Sequence, residues 1–401
     1  MSLLNPFARF VLRLTDPDVG GRLLEWSGPM ARVLLAEGTT IFVLAAGPGE
    51  AERVEAFASQ IAAQGGAAKI AVIGGDAELI ALIDRVGVVG KVALLLFDRR
   101  GKLRAGPAGL VGKAMSHAAE YLATDERVDA SPEELDGMVR ARIQSSRQEL
   151  ADARRYQQAL QGRRPVFTIA LLVVLVLLYI PDSLLRLPNG VGLLSSVGAL
   201  RPSGDPAFAW PQLLGYSFLH GGLLHIGMNG YALYLLGSFL ERLVGTARLI
   251  VIYTVSCLGG GVAVWLLQDQ GITVGASGGI WGLMTAMAVL FFRPQGIVPE
   301  VMVAPMRRSF GQILALNLML SFLPGISLWG HLGGGLGGAL LMGSGAVAWG
   351  APKAEQARDP NALGNTGSRV WLAAAALSLV VMAVSLVAVL VLSLQVLVYA
   401  T

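Results

Sequence analysis

The sequence predicts an α-helical polytopic membrane protein that carries an N-terminal soluble α/β domain. Of its 401 residues, 54% are hydrophobic and only 14% are charged, and the mean hydropathy is +0.60. Such a composition is too apolar for an ordinary soluble protein. The apolarity is uneven, because residues 1–165 hold most of the charge and residues 166–401 contain long uncharged runs. We therefore expect a soluble part followed by a membrane-embedded part.

Charge and cysteine content exclude several classes of function. The net charge is +4 and no dense basic run is present, so we expect no nucleic-acid partner. Cys257 is the single cysteine, which rules out an intrachain disulfide and a cysteine-based zinc site. The sequence GPGE at 47–50 matches no phosphate-binding loop. We expect neither a metal nor another cofactor.

The soluble domain is predicted over residues 1–125, where strand and helix patterns alternate. Strands are expected at 40–46, 69–74 and 91–98, with helices at 50–64 and 76–86. This alternation predicts a small, largely parallel α/β sheet. A thioredoxin-like fold is compatible with the pattern, but a thioredoxin-type redox role is not, because this part contains no cysteine. The default expectation is a regulatory or interaction module with an unidentified partner.

A polar helix over 133–162 is predicted inside a connecting segment, 126–165. Ser131 before Pro132 resembles a helix start, with a capping serine and a proline at the first position. Seven apolar spans then follow, the last of them after a linker at 349–369. The spans are expected at 166–181, 222–241, 247–267, 276–293, 309–325, 328–348 and 370–400.

Basic residues near the span ends predict the orientation. Arg186 and Arg201 lie on one side, and twelve lie on the side of the soluble domain: Arg154, Arg155, Arg163, Arg164, Arg242, Arg248, Arg293, Arg307, Arg308, Lys353, Arg358 and Arg369. The positive-inside rule then predicts a plasma (inner) membrane protein with a cytoplasmic N-terminus and an extracytoplasmic C-terminus. Spans two, four and six run inward, so His220, Ser277 and His331 are expected at one depth near the outer face.

Ser277 is the residue that raises the question of chemistry. It lies between small residues in TVGASGGIWG (273–282), and a serine in such a setting is more often structural. Three of the four histidines, His220, His225 and His331, are nevertheless expected at its depth. Ionisable residues in membrane spans are costly and usually functional, which favours a catalytic interpretation.

The residue types match nucleophilic catalysis. Serine needs a base to become a nucleophile, and histidine is the usual base, which makes Ser277 and His331 the natural pair. A free backbone N–H at the start of the helix at Ser277 can stabilise an oxyanion, and His225 and Asn229, four residues apart on one helix face, can add donors. Asp269 in an outer loop is only a weak candidate to orient His331. We therefore favour a Ser–His dyad over a triad.

Small residues and one aromatic residue are expected to shape the surroundings. Gly334 and Gly338 follow His331 at three and seven residues, which predicts a smooth stripe that packs against the fourth span. Trp281 lies one turn after Ser277, where its ring can pack on the imidazole of His331. Ordinary core packing is the equal alternative for Trp281.

Three motifs together resemble the rhomboid family of intramembrane serine proteases: HGGLLHIGMN (220–229), GASG (275–278) and GHLGGGLGG (330–338). The resemblance covers about residues 166–348 and implies a rhomboid-like six-helix core plus one C-terminal helix. Members of the family cut transmembrane helices of other proteins near the membrane surface, often after a small residue. The implied substrates are therefore single-pass or polytopic membrane proteins within the lipid bilayer.

The resemblance also implies roles for individual residues. Ser277 becomes the nucleophile and His331 the general base, while His225, Asn229 and the backbone N–H of Ser277 become the oxyanion hole. His220 becomes a structural support of the first loop, the segment 182–218, and Gly275 belongs to the nucleophile motif.

Two other functions are compatible with a polytopic membrane protein. A rhomboid-like protein that binds membrane clients without cutting them would typically lack the serine or the histidine, and neither is lacking here. A transporter would be expected to show acidic residues within its spans and internal repeats. Glu241, the acidic residue in the predicted spans, is at a cytoplasmic helix end, and the sequence shows no internal repeat.

Overall fold

The computed structural model divides the chain into two compact units, residues 1–151 and 152–401. It describes residues 4–400 apart from 17, 18, 20, 28, 36–38, 66, 99, 124–131, 203–205, 305, 350 and 352–368. The predicted capping residue Ser131, the basic residues Lys353 and Arg358, and most of the predicted 349–369 linker lie outside the described residues.

The N-terminal unit is built on a mixed sheet whose described strands follow the order β1-β2-β3-β4-β6-β5, with β7 paired to β6. Its elements are α1 (Leu4–Leu14), β1 (Arg22–Ser27), β2 (Met30–Leu34), β3 (Thr40–Ala45), α2 (Ala51–Ala63), β4 (Ala68–Ile73), α3 (Ala77–Val86), β5 (Val88–Val89), β6 (Val92–Phe97), β7 (Leu103–Ala105) and α4 (Lys113–Ala123). Helices α2 and α3 pack on one face of the sheet, and α1 and α4 pack on the other. The central strands are buried on both faces, which explains their continuous apolar runs.

The prediction of a largely parallel sheet is wrong. Only the β3–β4 and β4–β6 pairs are parallel, and the other four described pairs are antiparallel. The parallel pairs are those joined by the predicted helices, since a parallel crossover needs a long connection. Only two residues separate β1 from β2, and so short a connection forces the two strands to run antiparallel.

The remaining helices begin with α5 (Pro132–Gln161), which corresponds to the predicted polar helix and ends in the second unit. They continue with α6 (Val166–Leu184), α7 (Leu193–Gly198), α8 (Pro206–Gly215), α9 (Leu223–Val244), α10 (Thr246–Leu267), α11 (Ser277–Phe292), α12 (Glu300–Val303), α13 (Met306–Leu320), α14 (Leu328–Gly343) and α15 (Arg369–Ala400). Each of the seven predicted spans falls on one of these helices. In the described part of the chain, α6, α9, α10 and α15 are long and apolar enough to cross a membrane. Helix α11 and the 309–320 part of α13 are apolar but shorter.

The end of α5, which belongs to the second unit, makes polar contacts within that unit. The Tyr156 hydroxyl donates to the carbonyl oxygen of Ile297 at 2.6 Å, and burial raises the pKa of this phenol. Arg163 donates to the carbonyl of Arg242, and Arg242 donates back to the carbonyl of Arg163. These bonds join the end of α5 to the end of α9 and to the segment that follows α11.

Helix α14 packs against α10 and α11 through two rows of glycines. A Cβ on Gly334 or Gly338 would overlap the carbonyl oxygen of Gly278 or Gly282 on α11, and one on Gly333 would overlap Gly259 on α10. The predicted close packing of the Gly334–Gly338 stripe against the fourth span is therefore confirmed. Backbones that approach this closely place the residues at the start of α14 directly beside the start of α11.

Candidate active site

Ser277 is the first residue of α11 and is partly exposed. The segment before it is held by backbone hydrogen bonds to the first loop. Thr273 and Leu200 exchange two bonds, at 2.9 and 3.0 Å, and the Gly275 N–H donates to the carbonyl of Tyr216 at 2.9 Å. The backbone position of Ser277 is thus set by residues that lie far from it in sequence.

Gly275 brings this segment against α9. Its φ of +126° lies in a region that residues with a side chain rarely adopt. A Cβ on Gly275 would lie 2.7 Å from Nε2 of His225 and 3.2 Å from Nδ2 of Asn229. The side chains of His225 and Asn229 therefore face the backbone two residues before Ser277, and the missing side chain of Gly275 leaves space beside them.

The side-chain amide of Asn229 has an unpartnered hydrogen-bond donor among the described residues. Asn229 is 8% exposed, and its Nδ2 has no hydrogen-bond partner among the described residues. A buried donor without a partner is costly in a native protein, and an acceptor supplied by a ligand or substrate is one explanation for it.

His220 lies on the same side of the nucleophile segment. Its ring meets that of His225 edge-on, with centroids 5.1 Å apart, and its Nε2 accepts from the Ala276 N–H at 3.5 Å. Sequence reasoning expected His220 to support the first loop. In the structure it contacts the backbone immediately before Ser277.

His331 lies in the first turn of α14 and is 9% exposed. The ring of Trp281 stacks on its imidazole, with centroids 5.5 Å apart and an interplanar angle of 27°. The expected packing of Trp281 on His331 is confirmed. Because Trp281 is one turn after Ser277, this stacking holds the imidazole plane next to the first turn of α11.

Sequence reasoning missed Ser321, which directly follows α13. Its hydroxyl oxygen lies 2.7 Å from Nδ1 of His331, and the residue is only 1% exposed. Asp269, the weak sequence candidate for this position, is exposed. The available signal was the Pro-Gly turn at 324–325, which sends the chain back on itself between Ser321 and His331.

A metal centre is not indicated in the described part of the chain. No group of three or more His, Cys, Asp or Glu residues there is close enough to hold a metal ion. The polar residues that surround Ser277 carry imidazole and amide groups, which suit acid–base and nucleophilic chemistry.

Comparison with known proteins identifies the membrane part. A rhomboid domain matches residues 207–347. RHOMBOID-like protein 4 of Arabidopsis thaliana is 35% identical over 130 residues, which are 32% of this chain and 32% of that protein. Rhomboid protease GluP of Bacillus subtilis is 28% identical over 198 residues, 48% of this chain and 37% of that protein. The putative rhomboid protease YdcA of the same organism is 30% identical over 135 residues, 33% of this chain and 65% of that protein.

The predicted resemblance is confirmed: the chain carries a domain of the rhomboid family and is a multi-pass membrane protein. The match spans about a third to a half of the length of the first curated relatives.

Proposed function

We propose that this protein is an intramembrane serine endopeptidase that cleaves transmembrane segments of other membrane proteins near the outer membrane face. Ser277 is the nucleophile and His331 the general base of a Ser–His dyad. His225, Asn229 and the backbone N–H of Ser277 form the oxyanion hole. The observation that carries the proposal is the meeting of polar groups from α9 and α14 at the first turn of α11.

The reaction follows from this arrangement. The Ser277 hydroxyl attacks a client carbonyl while His331 takes its proton, and the carbonyl oxygen becomes an oxyanion. The space beside Gly275 receives that oxygen, where the unpartnered Nδ2 of Asn229 and the imidazole of His225 supply donors. His331 then protonates the leaving amine, and water hydrolyses the acyl-enzyme.

The remaining site residues position the groups that carry out this chemistry. His220 holds the backbone of the nucleophile segment, and Trp281 holds the plane of the His331 ring. Gly275 provides the space for the oxyanion. Gly334 and Gly338 let α14 approach α11 closely enough for a base on one helix to serve a serine on the other.

The clients are single-pass or polytopic membrane proteins, and the site works inside the lipid bilayer. From the asymmetry of basic residues, we propose a plasma (inner) membrane location with residues 1–125 and the 126–165 connection in the cytoplasm. A core at 166–348, a cytoplasmic linker at 349–369 and a seventh helix at 370–401 complete the domain plan. Enzymatic reporters can be inserted after residue 165 of the otherwise intact chain or fused after residue 401. They would test this topology, because the two reporters should lie on opposite sides of the membrane.

A second candidate function is a catalytically silent rhomboid-like protein that binds membrane clients. It is favoured by relatives that are named rhomboid-like without a stated activity. The presence of both Ser277 and His331 favours the protease.

The decisive experiment is cleavage of a tagged single-span reporter by the purified protein in detergent, with fluorophosphonate labelling in parallel. Ser277→Ala and His331→Ala should each abolish cleavage and labelling. Ser344→Ala, which removes an exposed hydroxyl at the far end of α14, is the matched control and should retain both. Cleavage that persists in Ser277→Ala would contradict the mechanism, and a wild type without labelling or cleavage would favour the silent protein.

A further inference from the structure

The Nδ1 edge of His331 is occupied by one buried hydroxyl. Ser321 Oγ lies 2.7 Å from that nitrogen, and the two residues are 1% and 9% exposed. Trp281 stacks on the face of the same ring. The stacking restrains the plane of the imidazole, and the contact with Ser321 restrains the rotation of the ring within that plane.

The second contact of Ser321 offers an acceptor for its hydroxyl proton. Its hydroxyl donates to the carbonyl oxygen of Asn317 at 2.9 Å, one turn back on α13. A serine hydroxyl has one proton to donate and two lone pairs to accept with. When the hydroxyl donates to Asn317, its oxygen is left to accept from His331, and Nδ1 of His331 then carries a hydrogen.

A neutral imidazole carries its proton on one nitrogen only. With Nδ1 protonated, Nε2 has the free lone pair and is the atom able to take a proton. The Nε2–H tautomer would offer no base to Ser277. The state of Nδ1 thus determines whether His331 can perform the first step of the reaction.

We propose that Ser321 is a positioning residue that holds His331 in the Nδ1–H tautomer and so leaves Nε2 free to accept the proton of Ser277. The catalytic consequence rests on the proposed protease function, whereas the tautomer itself does not. Ser321 occupies the place that a carboxylate takes in a Ser-His-Asp triad. A neutral hydroxyl performs the same orientation without placing a charge among apolar helices, where a buried carboxylate would be costly.

The tautomer can be read without any enzyme assay. The 401-residue chain, labelled with ¹⁵N-histidine in detergent, contains four histidines, and His331→Ala assigns the resonance of interest. Long-range ¹H–¹⁵N correlations should show a protonated Nδ1 in the wild type. Ser321→Ala should lose this pattern, and Ser321→Thr, which keeps the hydroxyl, should retain it.

Ser327→Ala is the matched control for these spectra. Ser327 also lies near His331, but its hydroxyl caps α14 by accepting from the Gly330 N–H and donates to Oε1 of Gln268. This variant should keep the Nδ1–H pattern. A wild-type His331 protonated on Nε2, or a Ser321→Ala spectrum identical to that of the wild type, would overturn the proposal.

Kinetics of the single-span reporter test the catalytic consequence. Ser321→Ala should lower kcat about tenfold with KM unchanged, which corresponds to ~1.4 kcal/mol of barrier, and Ser321→Thr should recover most of that loss. Unchanged kcat in a Ser321→Ala protein that has lost the tautomer would overturn this part. If the wild type fails to cleave while its spectra show the Nδ1–H form, the protease function fails and the role of Ser321 in setting the tautomer stands.

Discussion

Gly275 shows how a single residue shapes the candidate site. Its positive φ and its contact with two side chains of α9 are independent demands, and both favour glycine. The backbone reaches φ +126° because Thr273 and Gly275 are hydrogen-bonded to the first loop on the preceding side. A residue with a side chain would be strained at this φ. The absence of a Cβ at Gly275 also leaves space next to His225 and Asn229.

Replacing Gly275 should block the site by filling that space. We expect Gly275→Ala to reduce fluorophosphonate labelling and reporter cleavage at least about a hundredfold, the loss that follows removal of one oxyanion donor. Gly271→Ala is the matched control, because Gly271 also has a positive φ, +86°, but a Cβ there would meet only Gln268, at 4.0 Å. Equal losses in both variants would assign the effect to backbone strain and not to the space beside His225.

Asn229 should separate activity from stability. Because its Nδ2 has no partner among the described residues, Asn229→Ala removes an unpaired buried donor and should leave the thermal midpoint unchanged or slightly raised. The kcat for the reporter should fall about a hundredfold. Measuring both on one preparation is informative, since a lower midpoint with unchanged kcat would indicate a core role for this side chain.

At the scale of elements, the start of α6 is held by one buried carboxylate. Glu241, 2% exposed near the end of α9, accepts from the backbone N–H groups of Phe167 and Thr168 and from the hydroxyls of Thr168 and Thr246. The N–H groups at a helix start have no partner within the helix, so α6 depends on this carboxylate from another helix. The first two core helices and the start of the third are thereby joined at one end.

Loss of this carboxylate should destabilise the membrane unit. We expect Glu241→Ala to lower the free energy of unfolding by about 3 kcal/mol, because several buried donors lose a charged acceptor. An SDS titration followed by circular dichroism measures the change. Glu300→Ala removes a carboxylate that is about half exposed and is paired with Arg307, and it should cost less than about 1 kcal/mol. A similar cost for both variants would mean that the cap on α6 contributes little.

At the scale of the whole molecule, α15 packs within the second compact unit. Val389 of α15 fits against Gly198 and Gly215 of the first loop, where added Cβ atoms would lie 2.7–2.8 Å from the neighbouring side chains. Nearer the other end of α15, the Trp371 ring lies 5.4 Å from the guanidinium carbon of buried Arg248. Since Tyr216 follows Gly215 and accepts the bond from Gly275, α15 braces the segment that holds the nucleophile.

Shortening the Val389 side chain should lower the free energy of unfolding. Val389→Ala leaves a small cavity beside the two glycines, and we expect it to lower the free energy of unfolding by about 1–3 kcal/mol. Val391→Ala, at a position 49% exposed on the same helix, should change it by less than about 0.5 kcal/mol. Differential scanning fluorimetry in detergent compares the two, and equal shifts would mean that α15 does not brace the first loop.

Local pattern allowed the sequence to predict the long helices, the crossover strands and the candidate dyad. The prediction from local pattern failed for short helices and strands. The β1–β2 hairpin and the short helices α7 and α8 show too few periods of hydrophobicity for their pattern to stand out. The misassigned sheet follows from this, because the missed strands are antiparallel ones.

The sequence by itself determined which segments are apolar enough for a membrane, that Ser277 begins a helix, and that Gly334 and Gly338 form a smooth stripe after His331. These features depend on residues close together in the chain. Only the tertiary structure decided that Gly275 faces His225 and Asn229, that Glu241 caps α6, and that Ser321 bonds Nδ1 of His331. Each of those contacts joins separate elements, and its geometry depends on how closely helices pack and where loops turn, which no local pattern encodes.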